Sequence, residues 1–266
     1  MARIAVFNQK GGVGKTTTVL NLAAALFLKL TKSLLIDMDP QGHLTQIQGH
    51  EATATNQSLF VFYQENKPLQ QLQLDWHNIG TLIPSHKELM KVDSVFGKGP
   101  AILNKLKQGL DLLEKETHPD NILIDCCPYI GVLSLNAIFA SDLILIPIAS
   151  DFLSLQGAQK VEQTLRALEP VVKKRIDRRY ILTCYDRRRG MTFDVETKAR
   201  DFFGAEVLTT VISENVAIAE SPQYQKDVFR YSSSSTGAHD YATLLDELSS
   251  AGLLNINPSA TTADHV

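Results

Sequence analysis

The sequence predicts one doubly wound α/β domain, a mostly parallel β-sheet flanked by helices. Three observations carry this reading. Apolar runs recur along the chain without polar alternation, the pattern of strands buried on both sides. Helix-periodic stretches separate those runs, as crossover connections between parallel strands require. The first run leads straight into the glycine-rich turn Gly11-Gly12-Val13-Gly14, the kind of junction at which a strand hands over to a helix.

The elements follow in order. Residues 4–7 form the first apolar run, and residues 16–30 a helix in which Leu20, Ala23, Ala24 and Phe27 recur at helical spacing. Residues 34–37, 122–125, 143–148, 180–184 and 207–212 read as five further strands. Residues 156–168, 193–203 and 240–248 are the clearest later helices. No repeat and no Pro- or Gly-rich linker divides the chain. Residues 1–250 are therefore assigned to one domain, and residues 251–266 to a disordered tail.

Composition narrows the function classes. The chain has 266 residues, 44% hydrophobic and 21% charged, which is ordinary for a globular protein. A net charge of -3 excludes whole-molecule attraction to nucleic acid, so any such binding must use a local basic patch. Cys126, Cys127 and Cys184 offer neither a disulfide framework nor a zinc-ligand spacing, and read as buried thiols in a reducing compartment. No apolar run reaches the roughly 20 residues of a membrane span, and the N-terminus reads as a strand rather than a signal peptide. A cytoplasmic location is expected.

The turn after the first strand carries the chemistry. Lys10, Gly11, Gly12, Val13, Gly14, Lys15, Thr16 and Thr17 form a phosphate-binding loop, although Gln9 stands where the common pattern has its first glycine. Glycines let successive backbone N–H groups converge on a β-phosphate, and the following helix adds the positive end of its dipole. Lys15 should reach the β- and γ-phosphates, and the Thr16 hydroxyl should ligate Mg²⁺. Asp125 ends one apolar strand, while Asp37 and Asp39 end another. Acidic residues at such strand ends are placed to hold a metal's water shell or to orient an attacking water. Each taken alone is also an ordinary turn former.

These segments resemble the ParA/MinD family of deviant Walker A ATPases. The resemblance rests on Asn8-Gln-Lys10-Gly-Gly-Val-Gly-Lys15-Thr-Thr17, on Leu35-Ile-Asp37-Met-Asp39-Pro-Gln-Gly42 and on Leu123-Ile-Asp125-Cys-Cys-Pro128. It continues through Leu82-Ile-Pro84, Leu135-Asn136-Ala137, Ile144-Leu-Ile-Pro147, Asn215-Val216 and Glu220-Ser-Pro222, and is strongest to small ParA proteins. The resemblance implies a P-loop NTPase fold that binds ATP and Mg²⁺ and hydrolyses ATP slowly. It implies that Lys10 reaches across an ATP-bound homodimer to the partner's phosphates, that Asp39 positions the attacking water, and that Asp37 and Asp125 lie near the magnesium. It further implies non-specific DNA binding on the nucleoid, stimulation by a ParB-like adaptor, and the positioning of a plasmid, chromosome or protein assembly.

The chain departs from that pattern in two places. Relatives usually carry Asp-Cys-Pro-Pro where Asp125-Cys126-Cys127-Pro128 stands here. The segment in which relatives often place DNA-contacting arginines reads Ser213-Glu214-Asn215-Val216-Ala217. The remaining candidates for phosphate-backbone contact are Lys173, Lys174 and Arg175, with Arg178 and Arg179 beyond them, and Arg187, Arg188 and Arg189. They bracket one strand and should sit at its opposite ends. A MinD-like membrane cycle would require a basic amphipathic C-terminal helix, which the tail does not supply. An iron-sulfur relative would need differently placed cysteines, and an amidotransferase a second catalytic domain for which the chain has no room.

Overall fold

The computed structural model describes residues 1–49, 55–95 and 100–256. Its strands are β1 (Ala2–Val6), β2 (Ser33–Asp37), β3 (Leu74–Trp76), β4 (Gly80–Ile83), β5 (Asn121–Asp125), β6 (Leu143–Ala149), β7 (Asp177–Tyr185) and β8 (Val207–Ser213). They form one sheet in the order β3-β4-β2-β5-β1-β6-β7-β8, parallel at every pairing except β3 with β4. The doubly wound, mostly parallel sheet predicted from sequence is the fold observed.

The burial pattern explains why these segments read as unbroken apolar runs. Every residue of β2, β5 and β6 is buried. Alternate side chains enter different cores: Ile122 and Ile124 pack in one layer and Leu123 in the other. Burying each such aliphatic side chain contributes about 1.5–3 kcal/mol, so both faces drive the sheet together. The open edge at β8 is closed by the Thr236–Ser250 helix. Its Glu247 accepts from the Thr209 and Thr210 N–H groups, at 2.7 and 2.8 Å, and Asp240 accepts from the Ser213 N–H at 2.8 Å. An edge strand's donors are thereby occupied from within the chain.

Two features differ from the sequence reading. The β3–β4 hairpin was not predicted, because Leu74-Asp75-Trp76 is too short to establish a period. Its turn depends on Asn78 at φ 63, and Gly80 stands where an added Cβ would lie 2.1 Å from the Ser33 carbonyl oxygen. The expected tail also begins later than residue 251. Leu254 is buried, Leu253 and Ile256 pack against the core, and Asn255 exchanges hydrogen bonds with Asn121 at 2.8 and 3.1 Å. Three apolar residues were too few to show as a pattern. Residues 257–266, also assigned to the tail, lie outside those described.

One basic residue is structural. Arg178, adjacent in sequence to a candidate DNA-contacting run, is completely buried, with Nη2 2.5 Å from Glu169 and Nε 3.3 Å from Glu162. Glu162 also accepts from the Tyr180 hydroxyl at 2.6 Å. Removing one partner of such a network leaves the other charge buried and unpaired. Arg178→Ala is therefore expected to lower unfolding stability by about 3–5 kcal/mol, measured by urea titration, and Arg178→Ala/Glu162→Gln to lose less than the sum of the single losses.

Candidate nucleotide-binding site

The register of β1, β2 and β5 brings the site together. Val6 pairs with Asp125 and Asp125 with Asp37, so the three parallel strands end side by side. Loops leaving this carboxyl edge line a cavity of about 670 Å³ that includes Gly11, Gly12, Gly14, Lys15, Thr16, Thr17 and Asp39. This is where open parallel sheets bind ligands. A second cavity of about 380 Å³ lies around Ser33 and Trp76 and holds none of the phosphate-loop residues.

The loop has the backbone of a phosphate cradle. Gly12 and Gly14 adopt φ 75 and 86, left-handed values that cost glycine little. Gly14 is the N-cap of the Lys15–Leu28 helix and supplies no side-chain cap. The first N–H groups of that helix consequently face the cavity as donors for an anion. Lys15 is buried to 7% exposure, with Nζ donating to the Lys10 carbonyl at 2.8 Å. Burial lowers its pKa, and the Asp125 and Asp39 carboxylates oppose that shift. Among the described residues this is the one lysine ammonium set into the cavity lining.

Asp125 lies beneath the cavity at 1% exposure, with the Thr16 hydroxyl as a weak donor neighbour and no fully formed hydrogen bond to either carboxylate oxygen. Burial, then the neighbouring Asp37 carboxylate, raise its pKa well above the usual range, against the Thr16 hydroxyl and Lys15. An unpartnered buried carboxylate is costly unless a cation compensates it. Mg²⁺ fits this donor set, since it takes few protein ligands and keeps several waters and phosphate oxygens. Thr16 and Asp125 are the residues that would hold it.

Asp37 does not join them. It is fully buried, with Oδ2 accepting from the Thr45 N–H at 2.9 Å and the Thr45 hydroxyl at 2.7 Å, and Oδ1 from the Asp39 N–H at 3.1 Å. Those bonds occupy both of its oxygens and make it a brace for the Asp39 loop. Burial raises its pKa despite the Thr45 bonds. Asp39 itself lines the cavity. Its Oδ1 accepts from the Gln41 N–H at 2.9 Å and its carbonyl from the Ser85 hydroxyl at 2.5 Å. Its carboxylate is thus held at the cavity wall by a loop bonded at both ends.

Lys10 is held within its own chain. Nζ lies 2.6 Å from Asp151 Oδ1, with both side chains about a third exposed at 32% and 35%. Asp151 is the N-cap of the Phe152–Val172 helix and is oriented by the Ser154 N–H and hydroxyl. The Lys10 N–H donates to Asn8, which donates in turn to the Pro147 carbonyl at 2.7 Å. Asn8 stood within the sequence motif. Asp151, Thr45, Ser85 and Thr183, whose hydroxyl donates to the Val13 carbonyl at 2.9 Å, carried no local signal.

The two basic runs do lie at opposite ends of β7. Acidic partners claim part of each. Arg175 pairs with Glu206, Arg188 with Asp186, and Arg189 with Asp186 and Glu214. The Arg188 side chain, with its backbone N–H, pulls the Asp186 pKa down to about 2. Lys173, Lys174 and Arg187 are exposed. Cys126 and Cys127 are both buried, and burial pushes the Cys127 thiol up to about 12, which removes it from thiolate chemistry near neutral pH.

The raised folded-state pKa values of Asp37 and Asp125, both above 3.8, mean that the folded chain holds more protons than the unfolded one between about pH 4 and 7. Without nucleotide, stability should therefore fall as pH rises through that window. Asp125→Asn is expected to stabilise the unliganded protein by ~1–3 kcal/mol at pH 7.5, with less gain towards pH 4, while losing the Mg²⁺-dependent part of ATP affinity. Urea unfolding at the two pH values and calorimetric titration check both halves.

Comparison with known proteins agrees with this geometry. Residues 1–178 match the AAA_31 family, described as an AAA domain. The chain is 34% identical over 251 residues to the chromosome-partitioning ATPase Soj of Thermus thermophilus, covering 92% of this chain and 94% of that protein. It is 31% identical over 247 residues to the chromosome partitioning protein ParA of Caulobacter vibrioides, covering 92% of each. The structure of cobyrinic acid a,c-diamide synthase from Mycobacterium smegmatis with bound ADP and magnesium superposes with a TM-score of 0.81 at 25% identity, over 97% of this chain and 99% of that one. Length therefore does not separate this chain from a protein of that name, contrary to the expectation drawn from domain size. Among the described residues no helix is long and apolar enough to cross a membrane. With the phosphate cradle, the buried Asp125 and the Asp39 loop on one sheet edge, this chain belongs to the ParA/MinD family of P-loop ATPases.

Proposed function

We propose that this protein is a ParA-type positioning ATPase that dimerises around ATP, binds DNA without sequence preference, and hydrolyses ATP slowly until an adaptor of ParB type stimulates it. The observation that carries the reading is the placement of Asp39 on the wall of the cavity that also exposes the phosphate-loop N–H groups. The γ-phosphate of ATP would lie against the Lys15 ammonium, Mg²⁺ would neutralise charge on the phosphates, and Asp39 would orient the attacking water. The partitioning names carried by relatives at 31–34% identity support the cellular role.

Dimerisation is supported by what surrounds the cavity. Tyr129, Ile130, Phe152 and Leu153 are 40–62% exposed, the first two on the loop that follows β5 and the others in the first turn of the Phe152–Val172 helix after β6, the same edge that carries Lys10. Large apolar side chains gathered at one edge mark a surface that a partner covers. A Lys10 ammonium a third exposed beside them is placed to serve a second subunit's phosphates. For DNA, Lys173, Lys174 and Arg187 are the basic-run members best placed to meet phosphates, since neighbouring arginines are paired with carboxylates.

Asp39→Ala is expected to lower turnover by about 10²–10⁴-fold while leaving ATP binding intact and prolonging the ATP-bound dimer, as read by phosphate release and light scattering. Lys10→Ala should bind Mg-ATP and remain monomeric. Unchanged turnover in Asp39→Ala would remove the water-orienting assignment.

On DNA, affinity should fall steeply with salt, and Arg187→Glu should weaken binding equally across unrelated duplexes and flatten that salt slope. A filter-binding series at several salt concentrations measures both. Binding that persists unchanged in Arg187→Glu assigns the contact elsewhere.

A further inference from the structure

We propose that Thr183 is a positioning residue for nucleotide binding, because its hydroxyl sets the direction of the phosphate-loop peptide between Val13 and Gly14. Thr183 sits at the carboxyl end of β7, 170 residues from the loop it touches, and is 2% exposed. Its Oγ1 donates to the Val13 carbonyl at 2.9 Å, and its methyl lies 4.0 Å from where a Cβ on Gly14 would be.

The consequence follows from peptide geometry. A trans peptide is planar, with its C=O and N–H pointing in opposite directions. Anchoring the Val13 carbonyl on Thr183 therefore aims the Gly14 N–H the other way, towards the cavity that Gly14 lines. The anchor is needed because of the residue that follows. Gly14 sits at φ 86 and can adopt either sign of φ, so nothing of its own prevents the Val13–Gly14 peptide from turning over. A turned peptide would present a carbonyl oxygen to the phosphates in place of a donor. Glycine's freedom makes the cradle possible, and a hydroxyl from another strand limits that freedom.

Thr183 is itself fixed. Its carbonyl accepts from the Ser150 N–H at 3.1 Å and the Ser150 hydroxyl at 3.3 Å. Ser150 immediately precedes the Asp151 that holds Lys10. The next residue, Cys184, takes φ 49 inside a strand, and the β7–β8 register slips between Leu182 and Tyr185. A left-handed non-glycine residue in a strand persists where its surroundings over-determine it, and such irregularities gather at functional sites. Here the irregularity lies directly beside the hydroxyl that reaches the loop.

The inference rests on reading the cavity as a nucleotide site, and the test separates the two. Mg-ATP and Mg-ADP are titrated calorimetrically into the wild type, Thr183→Val and Thr183→Ser, and each unliganded protein is unfolded in urea. Valine keeps the shape and removes the donor; serine keeps the donor. Thr183→Val is expected to bind both nucleotides about tenfold more weakly, and Thr183→Ser within about twofold of wild type. Both variants should unfold near the wild-type midpoint. Wild-type affinity in Thr183→Val overturns the inference, as does equal weakening in both variants, because serine keeps the donor. A loss of unliganded stability large enough to account for the weaker binding overturns it too, leaving Thr183 a structural role. A wild type that binds neither nucleotide overturns the nucleotide reading and this inference with it.

Discussion

The parallel register that ends β1, β2 and β5 at one level is the constraint on which the site depends. It sets Val6, Asp125 and Asp37 side by side, so the phosphate loop leaves the sheet directly beside two carboxylates. Hydrophobic burial on both faces maintains that register, because a one-residue slip would exchange Ile122 and Ile124 for Leu123 between the two cores. The same burial removes water from the carboxylates and gives the site its electrostatic character. Asp37 is compensated by Thr45 and the Asp39 N–H, whereas Asp125 has no fully formed hydrogen bond. Two neighbouring acids on paired strands thus do different work. One braces a loop, and the other would hold the Mg²⁺ of the proposed ATP site.

The sequence made the cradle legible because its chemistry is local. Gly12, Gly14, Lys15 and Thr16 must stand at fixed spacing along one strand–turn–helix, so one segment contains the whole signal. Asp39 was legible for the same reason, since it follows a fully apolar strand. The bracing role of Asp37 was not legible, because it depends on Thr45, eight residues on, which carries no motif of its own. Asp151, Ser85 and Thr183 were silent because each acts on a loop far away in sequence.

The basic runs show the same limit from the other side. A run of like charges suggests an open cationic face, but Arg178 lies inside the protein against Glu162 and Glu169, and Arg175 meets Glu206 from 31 residues away. Glu214 looked like the loss of a DNA contact; in the fold it is the partner of Arg189. Charge patterning along the chain measures the supply of cations. Their availability is a property of the fold.

The energetics of Lys10 connect these threads. Its pair with Asp151 is a third exposed on each side, and a pair so open to solvent contributes only about 0–1 kcal/mol. Such a contact orients a long side chain without confining it. The Asn8 bonds to the Lys10 N–H and the Pro147 carbonyl fix the backbone instead, so the ammonium can change partners without disturbing the loop. Lys15 is the reverse case, buried at 7% exposure and committed to the cavity. One lysine is fixed where charge must be met during chemistry. The other is a third exposed in a weak ion pair, which leaves it free to meet a second subunit's phosphates in the proposed ATP-bridged dimer.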